Sequence, residues 1–266
     1  MSEIVEAIVL GLVQGLTEFL PVSSSGHLEI AKFIFGENWV AEESLLMTII
    51  LHFATALSTI VVFRKEITEI TIGFFSKTDS QYRLFVGFIV LSMIPAGLVG
   101  LLFQDVIVSF FADNILLVSC MLLVTACLLY IGDTTRITNQ NVTGWRAFVI
   151  GIAQAVAILP GISRSGATIA VSLMLNIDRV KAAKFSFLMV LPLIIGKMLV
   201  DVSDGTLRES SLNGGALIAG FIMAFVSGLL ACKWMIAIVK RAKLKYFSLY
   251  CLAVGLIGIV YVTFFT

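Results

Sequence analysis

Long, unbroken apolar runs alternate with short polar joints along this chain. Crossing about 30 Å of hydrocarbon takes about 20 apolar residues in a helix. The runs 45–63, 83–103, 113–132, 185–201, 214–238 and 246–265 meet or approach that length. The run 185–201 is the weakest, since it is short and carries Pro192 and Lys197. Two other apolar segments are interrupted. Segment 4–35 breaks at Pro21-Val22-Ser23-Ser24-Ser25-Gly26, and segment 145–176 breaks at Pro160-Gly161-Ile162-Ser163-Arg164-Ser165-Gly166. The pieces beside each break hold roughly 10–15 residues, too few to cross alone, and read as re-entrant or core helices. The pattern predicts an all-α polytopic membrane protein with about six transmembrane helices and two re-entrant helix hairpins. A closed barrel would need alternating strands of about 10 residues, which are not seen here.

The two interrupted segments repeat each other. A shift of 140 residues aligns them without a gap and pairs Val9/Val149, Gly11/Gly151, Gln14/Gln154, Ser23/Ser163, Ser25/Ser165 and Gly26/Gly166. The Gly and polar matches carry most of the weight, because Leu and Val coincide easily in apolar sequence. The same shift lays run 45–62 over 185–202. The chain thus reads as one integral membrane domain, residues 1–266, made of two halves at about 1–135 and 145–266, each a hairpin followed by three spans.

Charge sets the orientation. If each interrupted segment enters and leaves on one side, the loops 64–83, 133–147, 177–184 and 239–245 share a face. They hold Arg64, Lys65, Lys77, Arg83, Arg136, Arg146, Arg179, Lys181, Lys184, Lys240, Arg241, Lys243 and Lys245. The opposite face has only Lys32 and Arg208; Arg164, Lys197 and Lys233 fall inside apolar segments, where the two lysines can snorkel to an interface. If each segment crossed once, the bias would vanish. The positive-inside rule therefore favours hairpins, with both termini outside the cytoplasm. Three spans per half is an odd number, so the halves are inverted and their broken tips can meet near mid-membrane.

Composition narrows the classes further. Of 266 residues, 59% are hydrophobic and 13% charged, with a formal net charge of +1. That charge argues against a nucleic-acid partner. The lipid bilayer is the solvent, and the sequence leaves a homodimer open. The acidic start Met1-Ser2-Glu3 lacks the basic region of a signal peptide. Cys120, Cys127, Cys232 and Cys251 lie in apolar runs without metal-ligand spacing and read as packing residues.

The breaks hold the candidate chemistry. Arg164 within an apolar segment needs a partner or a wet cavity. Either it forms a structural ion pair with Glu18, or it clamps an anion. Ser163, Ser165, Gly166 and Thr168 at a new helix start favour the second reading, with phosphate as the ligand. Gln14 and Glu18, spaced i,i+4, share a face of the first hairpin. Glu18 could hold a divalent cation against phosphate oxygens or orient His27. Ser23, Ser24, Ser25, Gly26 and His27 form the tip, where a Ser or His nucleophile and a general base are available. His52 lies inside an apolar run and reads first as a helix contact, with cavity lining as the other option. The nine Met and 20 Phe fit lipid-facing packing and equally a groove for an isoprenoid chain.

Gln14-Gly15-Leu16-Thr17-Glu18-Phe19-Leu20-Pro21-Val22-Ser23-Ser24-Ser25-Gly26-His27 resembles the first signature of the bacterial undecaprenyl-diphosphate phosphatase family, the bacitracin-resistance proteins. Pro160-Gly161-Ile162-Ser163-Arg164-Ser165-Gly166-Ala167-Thr168 resembles the second. The resemblance covers the whole chain. It implies hydrolysis of undecaprenyl diphosphate to undecaprenyl phosphate in the bacterial inner membrane, recycling the lipid carrier for cell-wall synthesis. It implies dependence on Mg²⁺ or Ca²⁺, with Glu18 as metal ligand, and roles for Glu18, Ser24, His27 and Arg164. Many members carry Glu where this chain has Gln14, so Glu18 would bear the carboxylate charge alone.

On this reading the diphosphate enters from the outer face. Ser24 is the expected nucleophile with His27 as its base; the reverse, His27 as nucleophile, stays open. Gln14, Ser23, Ser25, Gly26, Ser163, Ser165, Gly166 and Thr168 are expected around the substrate. A transporter or flippase for an anionic polyprenyl phosphate lipid is the rival, since it too would use an inverted repeat and an Arg clamp. It would not need the His–Ser pair.

Overall fold

A computed structural model describes residues 2–35, 41–76, 80–103, 106–107, 110, 114–136, 138–203, 214–240 and 243–265. Eleven helices are described among them. They are α1 (Glu3–Phe19), α2 (Ser24–Phe35), α3 (Ala41–Val62), α4 (Arg64–Phe75), α5 (Ser80–Leu102), α6 (Ile115–Thr134), α7 (Gly144–Val156), α8 (Arg164–Met174), α9 (Arg179–Ser203), α10 (Gly214–Lys240) and α11 (Leu244–Phe265). Among the described residues the only β feature is an isolated bridge between Gln140 and Ile177.

The six expected spans correspond to α3, α5, α6, α9, α10 and α11. Five of these are long and apolar enough to cross a bilayer unaided, and α3 qualifies together with α4. The protein is an all-α polytopic membrane protein. Helix α9 runs through Pro192 and Lys197, where the sequence is weakest as a span. Pro costs a helix one N–H, which neighbouring helices can offset.

The segment after α3 departs from the expected loop. After Phe63 the chain turns by 76° and continues as α4, whose start, Arg64-Lys65-Glu66, is charged and whose later positions Ile72 and Phe75 are exposed. Charged and apolar residues interleave there, so neither a span nor a loop pattern emerges from the sequence.

Both interrupted segments are broken helices, α1/α2 and α7/α8. Each packs into the opposite half of the chain: α1 runs along α10, and α7 along α5. The matched Gly11 and Gly151 explain how. A Cβ on Gly11 would sit 2.4 Å from the Gly220 carbonyl oxygen, and one on Gly151 would sit 2.4 Å from that of Ser92. Small residues let backbones approach where lipid gives helices no hydrophobic reason to associate.

One end of the molecule gathers the basic loops. Lys184 Nζ donates to Glu66 Oε1 at 2.7 Å, and Lys181 Nζ donates to Asn141 Oδ1 at 2.7 Å. Asp133 Oδ1 accepts from Arg179 Nη1 at 3.5 Å and from the Leu244 N–H at 3.1 Å. The starts of α4, α9 and α11 therefore meet the end of α6. Lys77, Arg208 and Arg241, and the side chains of Lys197 and Lys240, lie outside the described residues. The four cysteines are free; Cys232 and Cys251 are buried, as packing residues would be, and Cys127 is exposed.

Candidate active site

The two breaks meet. A Cβ on Gly26 would lie 3.1 Å from Gly161 Cα, and one on Gly166 would lie 3.3 Å from Pro21 Cβ. Ser165 Oγ donates to the Leu20 carbonyl at 3.3 Å. Irregular backbone inside a membrane protein needs hydrogen-bond partners from its surroundings, and here polar side chains supply them. Thr125 on α6 donates to the Gly161 carbonyl at 3.0 Å and accepts from the Ser163 N–H at 2.9 Å. Gly161 has φ +95°, a conformation open to glycine without strain. Ser23 adopts φ 72° in the first turn, an unusual conformation for a residue with a side chain.

Both following helices start with the same cap. Ser23 Oγ accepts from the Gly26 N–H at 3.2 Å, and Ser163 Oγ accepts from the Gly166 N–H at 3.0 Å. Each capping hydroxyl lies 3.4 Å from the next serine, Ser25 or Ser165. This is ordinary N-cap chemistry. It accounts for the matched serines and glycines as a frame.

Between the breaks lies a cavity of about 190 Å³. Thr17, Glu18, Ser24, Ser25, His52, Ser163, Arg164 and Ser165 form its polar wall, and Ile158, Ile162, Val190 and Ile194 form an apolar side. Arg164 Nη2 donates to Glu18 Oε1. Glu18 Oε2 accepts from Ser24 Oγ at 2.7 Å and from Gln14 Nε2 at 3.1 Å. Arg164 Nη1 is buried and has no hydrogen-bond partner among the described residues. A guanidinium half engaged by a carboxylate, with hydroxyls around it at two helix N-termini, is suited to an anion with several oxygens.

Not every expected site residue reaches the cavity. Thr168 Oγ1 is buried, donates to the Arg164 carbonyl at 2.8 Å and pairs with Ser186 Oγ at 2.6 Å. Ser23, Gly26 and Gly166 are occupied in the caps, and Gln14 stands behind Glu18. Both ring nitrogens of His27 make their hydrogen bonds to partners other than Ser24. Its Nδ1 donates to the Ser23 carbonyl at 2.8 Å, and its Nε2 is bonded to Tyr250 Oη at 2.8 Å, with the two rings stacked. The histidine on the cavity wall is His52, from α3. Its Nε2 lies 3.8 Å from Glu18 Oε2. Sequence reading also passed over Thr125 and Tyr250, which support the turns from α6 and α11. Their only signal is a hydrogen-bonding group inside an apolar helix.

For a hard divalent cation the cavity offers the Glu18 carboxylate and neutral hydroxyl oxygens such as that of Ser24, with Gln14 behind Glu18. Gln14 Oε1 is buried with no hydrogen-bond partner among the described residues, because the amide nitrogen of the same side chain is turned to Glu18. Among those residues no group of three His, Cys, Asp or Glu gathers as a metal site. One carboxylate with neutral oxygens fits Mg²⁺ or Ca²⁺ only where phosphate oxygens complete the shell.

A multi-pass α-helical membrane protein with a half-buried Arg–Glu–Ser constellation at the meeting of two broken helices is the class that fold and site define. The chain belongs to the family of bacitracin resistance protein BacA, whose family model matches residues 7–257. It is 53% identical over 259 residues to an undecaprenyl-diphosphatase of Christiangramia forsetii, covering 97% of this chain and 98% of that one. It is 49% identical to an undecaprenyl-diphosphatase of Bacteroides fragilis (96% and 97% covered), and 36% identical to one of Methanobrevibacter smithii (96% of each).

Proposed function

We propose that this protein hydrolyses undecaprenyl diphosphate to undecaprenyl phosphate and inorganic phosphate, within the membrane. Family membership and the names of its relatives support the reaction; they give no support to the transport reading. The single observation that carries the site is Arg164, a residue of the cavity wall tied to Glu18 by Nη2 and left with a buried Nη1 that has no partner among the described residues. Phosphoryl transfer is mostly a matter of positioning and electrostatic stabilisation. Arg164 holds the terminal phosphate, helped by the hydroxyls of Ser25, Ser163 and Ser165. The apolar side at Ile158, Val190 and Ile194 receives the first isoprene units.

Ser24 is the nucleophile. Its Oγ forms the bond to the terminal phosphorus while the bond to the bridging oxygen breaks, and undecaprenyl phosphate leaves. The proton of Ser24 passes to Glu18 Oε2, which already accepts it in a 2.7 Å hydrogen bond, and from there to the departing undecaprenyl phosphate, so that Glu18 is ionised again before water attacks. Glu18, rather than His27, is therefore in position to act as the base. His27 ties the strained Ser23 turn to Tyr250. Mg²⁺ or Ca²⁺, held by Glu18 and Ser24 together with phosphate oxygens, would neutralise charge on the diphosphate. The halves form an inverted repeat of two re-entrant hairpins. The termini and the site face outward across the bacterial inner membrane, a reading supported by the basic end formed around Asp133 and Lys184.

Phosphate release from undecaprenyl diphosphate by purified protein in detergent, with Mg²⁺, Ca²⁺ or a chelator, tests the reading. Release that needs the cation and vanishes in Arg164→Ala is expected. Well-folded wild-type protein that releases none overturns it. Trapped, acid-stable phosphoserine supports Ser24, whereas acid-labile phosphohistidine sinks it. Reporter fusions at the two termini check the orientation.

A further inference from the structure

His52 is a polar residue of α3 with no counterpart in the repeat, because the 140-residue shift matches it to Pro192. Its ring nevertheless forms part of the cavity wall. Nδ1 lies 2.8 Å from the Thr48 carbonyl one turn back, and a carbonyl only accepts, so Nδ1 carries the hydrogen. That contact orients the ring and directs Nε2, an acceptor in this tautomer, at Glu18 Oε2.

The separation of Nε2 and Oε2 is 3.8 Å, too long for a hydrogen bond. Two acceptors at that spacing converge on a point about 2.8 Å from each. A water molecule placed there would donate one O–H to each. The same Oε2 accepts from Ser24 Oγ at 2.7 Å, so this water adjoins the nucleophile. Building on the phosphoserine reading above, we propose that His52 positions the hydrolytic water for the second half of the reaction.

The step balances without any proton on Nε2. The water oxygen forms the bond to phosphorus as the bond from phosphorus to Ser24 Oγ breaks. One water proton passes through Glu18 Oε2 to the departing serine oxygen. The other stays on the phosphate product, and its hydrogen bond to His52 only orients the attack. His52 is thus a positioning residue of the dephosphorylation step, distinct from the Arg164 clamp used in both steps.

The test compares His52→Ala and His52→Gln with wild type, using undecaprenyl diphosphate labelled in the terminal phosphate and rapid acid quench. Removing the ring should lower kcat about 10- to 100-fold, lower KM with it so that kcat/KM stays within about twofold, and raise the steady-state level of phosphoserine. Gln brings an acceptor oxygen to a similar place but cannot relay a proton, so most of the rate should return. The proposal is overturned if kcat/KM falls in step with kcat, if phosphoserine does not accumulate, or if Gln is as slow as Ala. A changed Mg²⁺ requirement in His52→Gln would make the residue a cation ligand instead. Failure of the underlying reading looks different: no phosphoserine in wild type or either variant, or full activity in Ser24→Ala. Thermal melting in detergent separates a misfolded His52→Ala from an inactive one, and His52→Gln keeps the question open to decision in that case.

Discussion

The two broken helices are built alike and equipped differently. Each places a glycine against a neighbouring backbone, Gly11 on Gly220 and Gly151 on Ser92. Each starts its second helix with a serine cap, Ser23 on Gly26 and Ser163 on Gly166. Each buries a glutamine, Gln14 and Gln154. The charged and polar groups of the candidate site fall where the repeats disagree: Glu18 stands opposite Ile158, and Ser24 opposite Arg164. The shared positions make a frame of close helix contacts and satisfied turns. The divergent positions put the Glu18 carboxylate and the Ser24 hydroxyl on one side of the cavity and the Arg164 guanidinium on the other.

The strongest way to break this comparison is to erase the divergence. Glu18→Ile and Arg164→Ser each install the residue of the opposite repeat. Removing one group that stabilises the transition state costs about 10²–10³-fold in kcat. Each change also strips a buried partner, worth about 3–5 kcal/mol when it leaves the other charge uncompensated. Phosphate release should fall about 10²–10³-fold, and the melting temperature should drop separately. A variant retaining a tenth of the rate would separate the site from the Arg–Glu pair.

A smaller contrast is expected from the glutamines. Gln14 donates to Glu18 Oε2, whereas both amide atoms of Gln154 are buried without a hydrogen-bond partner among the described residues. Gln14→Leu removes a hydrogen bond to a charged group, about 1.5–3 kcal/mol. It should slow phosphate release by roughly tenfold or more. Gln154→Leu removes no such bond and should leave both the rate and the melting temperature near wild type. Equal losses at the two positions would show that the glutamines act alike, as packing.

The caps sharpen the shared half of the comparison. Ser23→Ala and Ser163→Ala should each cost about 0.5–2 kcal/mol of stability, seen as similar drops in melting temperature. Unequal drops would mean that the strained conformation of Ser23 changes what its cap contributes.

The smallest effect is expected far from both breaks. Lys184, by hydrogen bonding and its charge, holds the Glu66 carboxyl below its ordinary range. The lowered folded value makes the pair's contribution present at neutral pH and lost as pH falls through that value. Both side chains are substantially exposed, at 40% and 30%. Lys184→Ala should therefore cost at most about 1 kcal/mol, less in high salt. Thermal melts at pH 7 and pH 4 check the difference.

Much of this architecture was legible in the chain. Apolar run length located the six spans, because hydrocarbon thickness demands it. Pro160, Gly161 and the Ser-rich stretch 23–25 marked the breaks. The repeated Gly, Gln and Ser pointed to a common frame, and Arg164 in an apolar segment announced a buried partner or cavity. Helix α4 was not legible, because charges at Glu66 and Glu69 interleave with apolar residues and mask a helix lying across the end of a span.

Sequence alone determined which residues are polar where polarity is costly: Glu18, Ser24, His27, His52 and Arg164. Tertiary structure decided how they pair. His27 follows Ser24 by three residues and invites assignment as its base, yet its ring is held by the Ser23 carbonyl and Tyr250 from α11. His52 is 28 positions from Ser24 and faces the carboxylate that Ser24 bonds. Direction and distance between side chains on different helices depend on crossing angles and on how closely backbones approach. Those are set by contacts such as Gly11 on α10 and Gly151 on α5, which no local pattern records.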